Sequence, residues 1–112
     1  MLKEYLIHKE GCEGVGKLYY DTETEKFRLE VFPDAVNKWI PLPMLAMARR
    51  GILNIDHDIA YLFVRERVFP PDRANIGAIL RELGLQFYRE DLLLDKMKGK
   101  NVMDDYLIER CN

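Results

Sequence analysis

Apolar and polar residues alternate most cleanly at Phe27, Leu29 and Val31, with Arg28 and Glu30 between them. Successive side chains of a strand point to opposite faces, so this pattern predicts a half-buried strand. Pro33 ends it, because proline has no N–H to give a ladder. Tyr5 to Lys9 and Val15 to Tyr20 read as two earlier strands. The turn-forming stretch Glu10-Gly11-Cys12-Glu13-Gly14 separates them, and the polar run Asp21 to Glu25 joins the second to the third. The expectation is an antiparallel meander.

The period changes after Pro33. Trp39-Ile40-Pro41-Leu42-Pro43 reads as extended, since a residue before proline is pushed out of the helical region. Pro43 suits the start of a short helix through Ala48, with Arg49 and Arg50 at its negative end and Gly51 as a left-handed stop. Ile52 to Ile55 is a short apolar link. Asp56 is placed to cap a helix carrying Ile59, Leu62 and Phe63, which Phe69-Pro70-Pro71 breaks. Asp72 is placed to cap a further helix whose face is Ile76, Ile79, Leu80 and Leu83, with Gly84 closing it. Leu92, Leu93 and Met97 predict one more helix, and Lys98 to Asn101 a turn. Val102 to Ile108 fits either an edge strand or a loop packed on the core. The fold class is α+β: a small antiparallel sheet from the N-terminal third, about three strands, packed against three to four helices.

Composition makes this one domain spanning residues 1–112. The chain has 112 residues, 48% hydrophobic and 32% charged, enough to build a core. A net charge of −2 disfavours a nucleic-acid coat, which needs a basic excess. Cys12 and Cys111 do not make a disulfide framework. The N-terminus lacks the pattern of a signal peptide, and no apolar run approaches the roughly 20 residues that cross a bilayer, so the expected compartment is the cytoplasm.

Candidate chemistry is sparse. The chain has no serine, and Thr22 and Thr24 fall in a predicted turn. His8, Cys12, His57 and Cys111 would have to converge from distant segments to hold a metal, and Asp56-His57-Asp58 suits a helix start. Gly11, Gly14 and Gly16 form no phosphate-binding fingerprint and read as hairpin glycines. Asp104-Asp105 suits a turn better than acid–base work. No catalytic, cofactor-binding or metal residue is therefore assigned. Arg65, Arg67 and Arg73 flank the double proline and form either an anion site or a structural corner paired with Glu66, Asp72 and other acids. Trp39, Ile40, Leu42 and Met44 form a candidate partner-binding patch, tryptophan being enriched at interfaces as well as in cores.

Gly16 to Tyr20, Lys26 to Val31 and Ile40-Pro41-Leu42 resemble, in that order, the N-terminal subdomain of HipA-type kinases. Tyr61 to Pro70 looks like that family's helix and apolar-proline corner, and Arg73 with Ile76, Ile79, Leu80 and Gly84-Leu85 is similar to the helix beyond it. The segment Arg67 to Ile76 and the run Asp104 to Ile108 resemble two motifs of small HipA-like proteins. The resemblance runs in patches from Val15 to Ile108. No ATP-binding lysine, catalytic aspartate or metal-binding aspartate can be mapped, and 112 residues leave no room for a kinase core. The resemblance thus implies a non-catalytic module that binds and regulates a HipA-like kinase in trans, as in toxin–antitoxin pairs. Two alternatives stand beside it: a nucleic-acid or phosphate-binding accessory protein using Arg49, Arg50, Arg65, Arg67 and Arg73, and a small enzyme gathering His8, His57, Cys12 or Asp105.

Overall fold

The computed structural model of the chain describes residues 1–36, 38, 40–101 and 104–112. The meander forms as the alternation predicts, from β1 (Leu2–Lys9), β2 (Gly14–Asp21) and β3 (Lys26–Val31). The sheet is wider than the three strands expected. β4 (Asn54–Ile55) and β5 (Tyr106–Arg110) extend it to five strands in the order β4-β3-β2-β1-β5, every neighbour antiparallel. A two-residue strand is too short to show alternation, which hid β4. The Val102 to Ile108 ambiguity resolves in part: Tyr106 to Ile108 belong to the edge strand, while Val102 and Met103 lie outside the described residues.

Alternate positions bury one face of the sheet. Tyr5 and Ile7 of β1, Leu18 and Tyr20 of β2, and Phe27, Leu29 and Val31 of β3 are all buried, with Tyr106 and Ile108 of β5 beside them. The intervening Glu4, Lys17, Arg28, Glu30 and Glu109 are half-buried or exposed. On the buried face lie α1 (Leu42–Arg49), α2 (His57–Arg65) and α4 (Glu90–Met97), contributing Met44, Leu45, Ala60, Phe63, Val64, Leu93 and Leu94 to the same core. Gly16 is required there: a Cβ at this position would sit 2.3 Å from the Glu30 carbonyl oxygen and 2.8 Å from Met44 Cε.

The helices depart from expectation at their starts and faces. Asp56 flanks α2 but makes no side-chain cap bond. Asp72 does not cap α3 (Ile76–Glu82): the chain after the double proline turns through Arg73, whose carbonyl accepts from Ile76 N–H, so the helix begins at Ile76, with Asn75 in the cap position. No α3 residue is fully buried, although Leu80 and Leu83 pack on the core. α2 ends at Arg65, ahead of the Phe69-Pro70-Pro71 break. Gly51 and Gly84 do take the left-handed conformation of helix stops. In α4 the buried face is Asp91, Leu93 and Leu94, with Leu92 and Met97 half-buried.

Asp91 belongs to a charged network that the hydrophobic pattern did not reveal. Lys3, on the buried face of β1, donates to Asp91 Oδ2 at 2.7 Å and to Asp95 Oδ2 at 2.6 Å. Arg89 grips Asp91 with two bonds, and Tyr5 donates its hydroxyl to Asp95 Oδ1 at 2.7 Å. These bonds tie α4 to the first strand. Burial alone would push the Asp91 carboxyl up; the bonds from Arg89 and Lys3 outweigh it and hold the carboxyl below its ordinary value of 3.8. Burial, and then the bond to Asp95, push the Tyr5 phenol well up.

Removing one partner of a buried pair leaves a charge uncompensated, so Lys3→Met is expected to cost about 3–5 kcal/mol in urea denaturation at pH 7. Because the folded-state value of Asp91 is depressed, its stabilisation is present above pH 3.8 and is lost as pH falls through the folded value. The wild-type chain should therefore lose stability below pH 3.8. In Lys3→Met that acid dependence should flatten.

Candidate functional site

Both edges of the sheet are closed by groups outside the meander. Along β3, on the side where β4 covers only Leu29 and Glu30, Phe27 N–H donates to His57 Nδ1 at 2.9 Å, and Val31 N–H donates to the Leu53 carbonyl. At the β5 edge, Ile108 N–H donates to the Lys98 carbonyl at 2.8 Å and Tyr106 N–H to Asp104 Oδ1 at 2.9 Å. Covering an edge in this way removes a template for stray pairing.

Arg67 organises the second closure. The residue is buried, 4% exposed. It donates to the Gly99 carbonyl at 3.0 Å, to the Tyr106 carbonyl at 3.4 Å and to Asp104 Oδ2. Asn101 adds a bond from its side chain to the Glu66 carbonyl at 3.1 Å. The end of α2 is thus fastened to the segment linking α4 with β5. Gly99 is needed at this crossing: its φ is +61°, and a Cβ would stand 2.8 Å from Ile108 Cδ1.

An open groove of about 680 Å³ lies beside this clamp. Ile40, Pro41, Leu42 and Pro43 form one side, Phe63 and Tyr106 contribute apolar surface, and Lys9, Glu66, Asp104 and Asp105 supply charge. A second recess shares Lys9, Asn101, Asp104, Asp105 and Tyr106 and extends the groove to Cys12. Leu42 is 75% exposed. It starts α1 two residues before the buried Met44, about 200° around a helix of 3.6 residues per turn, so it faces away from the core.

The four residues of the predicted partner patch separate. Ile40 is buried at the groove and Met44 is wholly within the core, so Met44 offers nothing to a partner; among the described residues of the patch, only Leu42 stands out to solvent. Trp39 lies outside the described residues. The three corner arginines do not converge either, and their partners differ from those expected. Arg67 pairs with Asp104 rather than Glu66 or Asp72. Arg65 donates to the Tyr61 hydroxyl at 3.0 Å and lies over its ring. Arg73 bonds Asn75 at 3.1 Å and stacks on Phe69. The sequence placed these arginines at a corner, but only the folded chain brings Asp104 to one of them.

The residues considered for catalysis or metal binding are dispersed. Cys12 and Cys111 are exposed free thiols. His8 bonds Glu109 Oε1 at 2.9 Å, while His57 serves the opposite edge of the sheet. Cys12 and Asp105 share a recess without either histidine. Among the described residues, no group of three His, Cys, Asp or Glu side chains could hold a metal ion, and no helix is long and apolar enough to cross a membrane. Comparison of the chain with protein-family models, curated proteins and solved structures returns no match.

Arg67→Met should remove three bonds and strand Asp104, at a cost of about 3–5 kcal/mol. Amide exchange would then show the loss first at Tyr106 and Ile108. Neutral-pH denaturation of His57→Ala should show a smaller loss, about 1 kcal/mol, for the single backbone bond to Phe27.

Proposed function

We propose that this protein is a non-catalytic interaction module that binds a larger protein through the groove beside Arg67, and that its partner is a HipA-like kinase regulated in trans in the manner of a toxin–antitoxin pair. The observation that carries the binding reading is Leu42, an apolar side chain 75% exposed at the lip of a groove with Ile40, Pro41, Phe63 and Tyr106 along it. Interfaces place an apolar centre within a polar rim, and Glu66, Lys9 and Asp105 stand in the position of such a rim. The resemblance supplies the kinase: Ile40-Pro41-Leu42, Arg67 to Ile76 and Asp104 to Ile108 carry its motifs, and parts of all three line or build this groove.

The arginines invoked for nucleic-acid binding support that reading less. Arg67 is spent on carbonyls and Asp104, and Arg65 and Arg73 are held by local partners.

Co-purification of the chain with a HipA-like kinase from the same genome should yield a stable complex at micromolar concentrations. Leu42→Asp should weaken that complex at least about tenfold, the scale of losing an interface anchor, while leaving the melting temperature within about 1 °C, because the side chain lies outside the core. No complex with the wild-type chain, or an unchanged affinity with Leu42→Asp, would refute the proposal.

A further inference from the structure

The N–H of Phe27 lies on the stretch of β3 that β4 leaves uncovered, since β4 pairs only with Leu29 and Glu30. What covers it is a side chain. Phe27 N–H donates to His57 Nδ1 at 2.9 Å, and a ring nitrogen accepts only while it carries no proton. We propose that His57 is a pH-sensitive latch. Neutral, it fastens the Phe27 end of the β3 edge to the start of α2; protonated, it lets go and leaves that edge open.

Three features of the surroundings give the latch two states. First, the ring is held by contacts it can leave. His57 is the first residue of α2 and is half-buried. Its ring lies nearly parallel to that of Phe27, with centroids 6.3 Å apart, and 5.3 Å from that of Tyr61. A half-buried ring at the end of a helix can turn outward by side-chain rotation, with the backbone in place. Second, the charges facing it from the elements around it favour the protonated form. On one side, Asp56 and Asp58 of α2 and Asp21 of β2 stand against Lys26 and Arg28 of β3. On the other, Glu25 of the β2–β3 turn and Glu90 of α4 stand against Arg89. Acids outnumber bases on both sides. The phenols of Tyr19, Tyr20, Tyr61 and Tyr88 line the same two recesses, and phenols carry no charge where imidazoles titrate. Third, Asp56 makes no side-chain cap bond, so the first turn of α2 does not hold the carboxylate next to His57. The Phe27 bond and the positive end of the helix dipole favour the neutral ring; the surrounding carboxylates favour the charged one. The bond needs the neutral ring, so it is present at high pH and is lost as pH falls through the range in which imidazoles take up a proton. With the latch open, Phe27 N–H has no partner, and the edge from Lys26 to Arg28 becomes a bare strand edge of the kind that templates pairing.

The test follows the Phe27 amide and the His57 ring nitrogens together by NMR of the isotopically labelled full chain, from about pH 8 to about pH 5, the interval in which histidine changes charge. At the upper end, Nδ1 should be the unprotonated ring nitrogen. As the ring takes up its proton, the Phe27 amide signal should move with the same midpoint. Its protection from exchange, corrected for the intrinsic rate, should fall at least about fivefold, the factor that one ordinary hydrogen bond is worth. His57→Asn can place an amide oxygen near the position of Nδ1 and has nothing to titrate, so Phe27 protection should there stay constant across the interval. His8→Gln removes the other histidine of the chain, and the Phe27 response should persist. Constant Phe27 protection while His57 titrates, a ring that stays neutral throughout, a response that survives in His57→Asn, or one that vanishes in His8→Gln would overturn the proposal. Phe63, Glu66 and Arg67 line the groove at the other end of α2, so none of these outcomes bears on binding there.

Discussion

A guanidinium taken out of water must have every donor accounted for, or the fold that buries it loses more than it gains. Arg67 is held by three acceptors from two places in the chain: the Gly99 carbonyl in the last turn, and the Tyr106 carbonyl and Asp104 carboxylate after it. The consequences extend outward from this point. The turn is pinned to the end of α2, so β5 can lie along β1 with its outer edge closed by Lys98 and Asp104. With β5 fixed, Tyr106 and Asp105 face the Ile40–Pro43 segment across open space, and the groove exists. The site proposed for a partner is thus a product of structural chemistry, with no reactive group required.

The Lys3 network does comparable work on β1, the strand beside β5. Lys3 sits where the alternation of β1 demands a buried residue, and its ammonium reaches Asp91 and Asp95 on α4. Burying charge in this way is weak evidence for stability as such, since apolar replacements are often as stable. Its geometric effect is firmer. The bonds from Lys3 and Tyr5 on β1 to Asp91 and Asp95 hold α4 over that strand, while Arg89, two residues before Asp91, adds a local bond. The two clamps fix where α4 begins and where the chain re-enters the sheet after it.

The meander was legible because its strands are amphipathic: Phe27, Leu29 and Val31 announce their face, and so do the turns on either side. The helical second half was legible from its stops, Gly51 and Gly84, more than from its starts, since neither Asp56 nor Asp72 makes the cap bond that the sequence suggests. Long-range polar pairing left no local trace. Nothing near Lys3 predicts Asp91, 88 residues away, and nothing near Arg67 predicts Asp104. The groove was half legible. Its Ile40–Leu42 side is readable as an apolar extended stretch, but the burial of Met44 and the exposure of Leu42 depend on the helix phase set by the core.

We propose that the groove made by the Arg67 clamp, rather than the open face of the sheet, is where this protein meets a protein partner. Hydrogen–deuterium exchange of the chain, alone and mixed with the proposed HipA-like kinase partner, tests it most directly. Added protection concentrated at Ile40–Leu45 and Lys100–Tyr106 is the expected result. Protection confined to the solvent-facing positions of β2 and β3 around Tyr19 and Arg28, with the groove segments unchanged, would contradict the account.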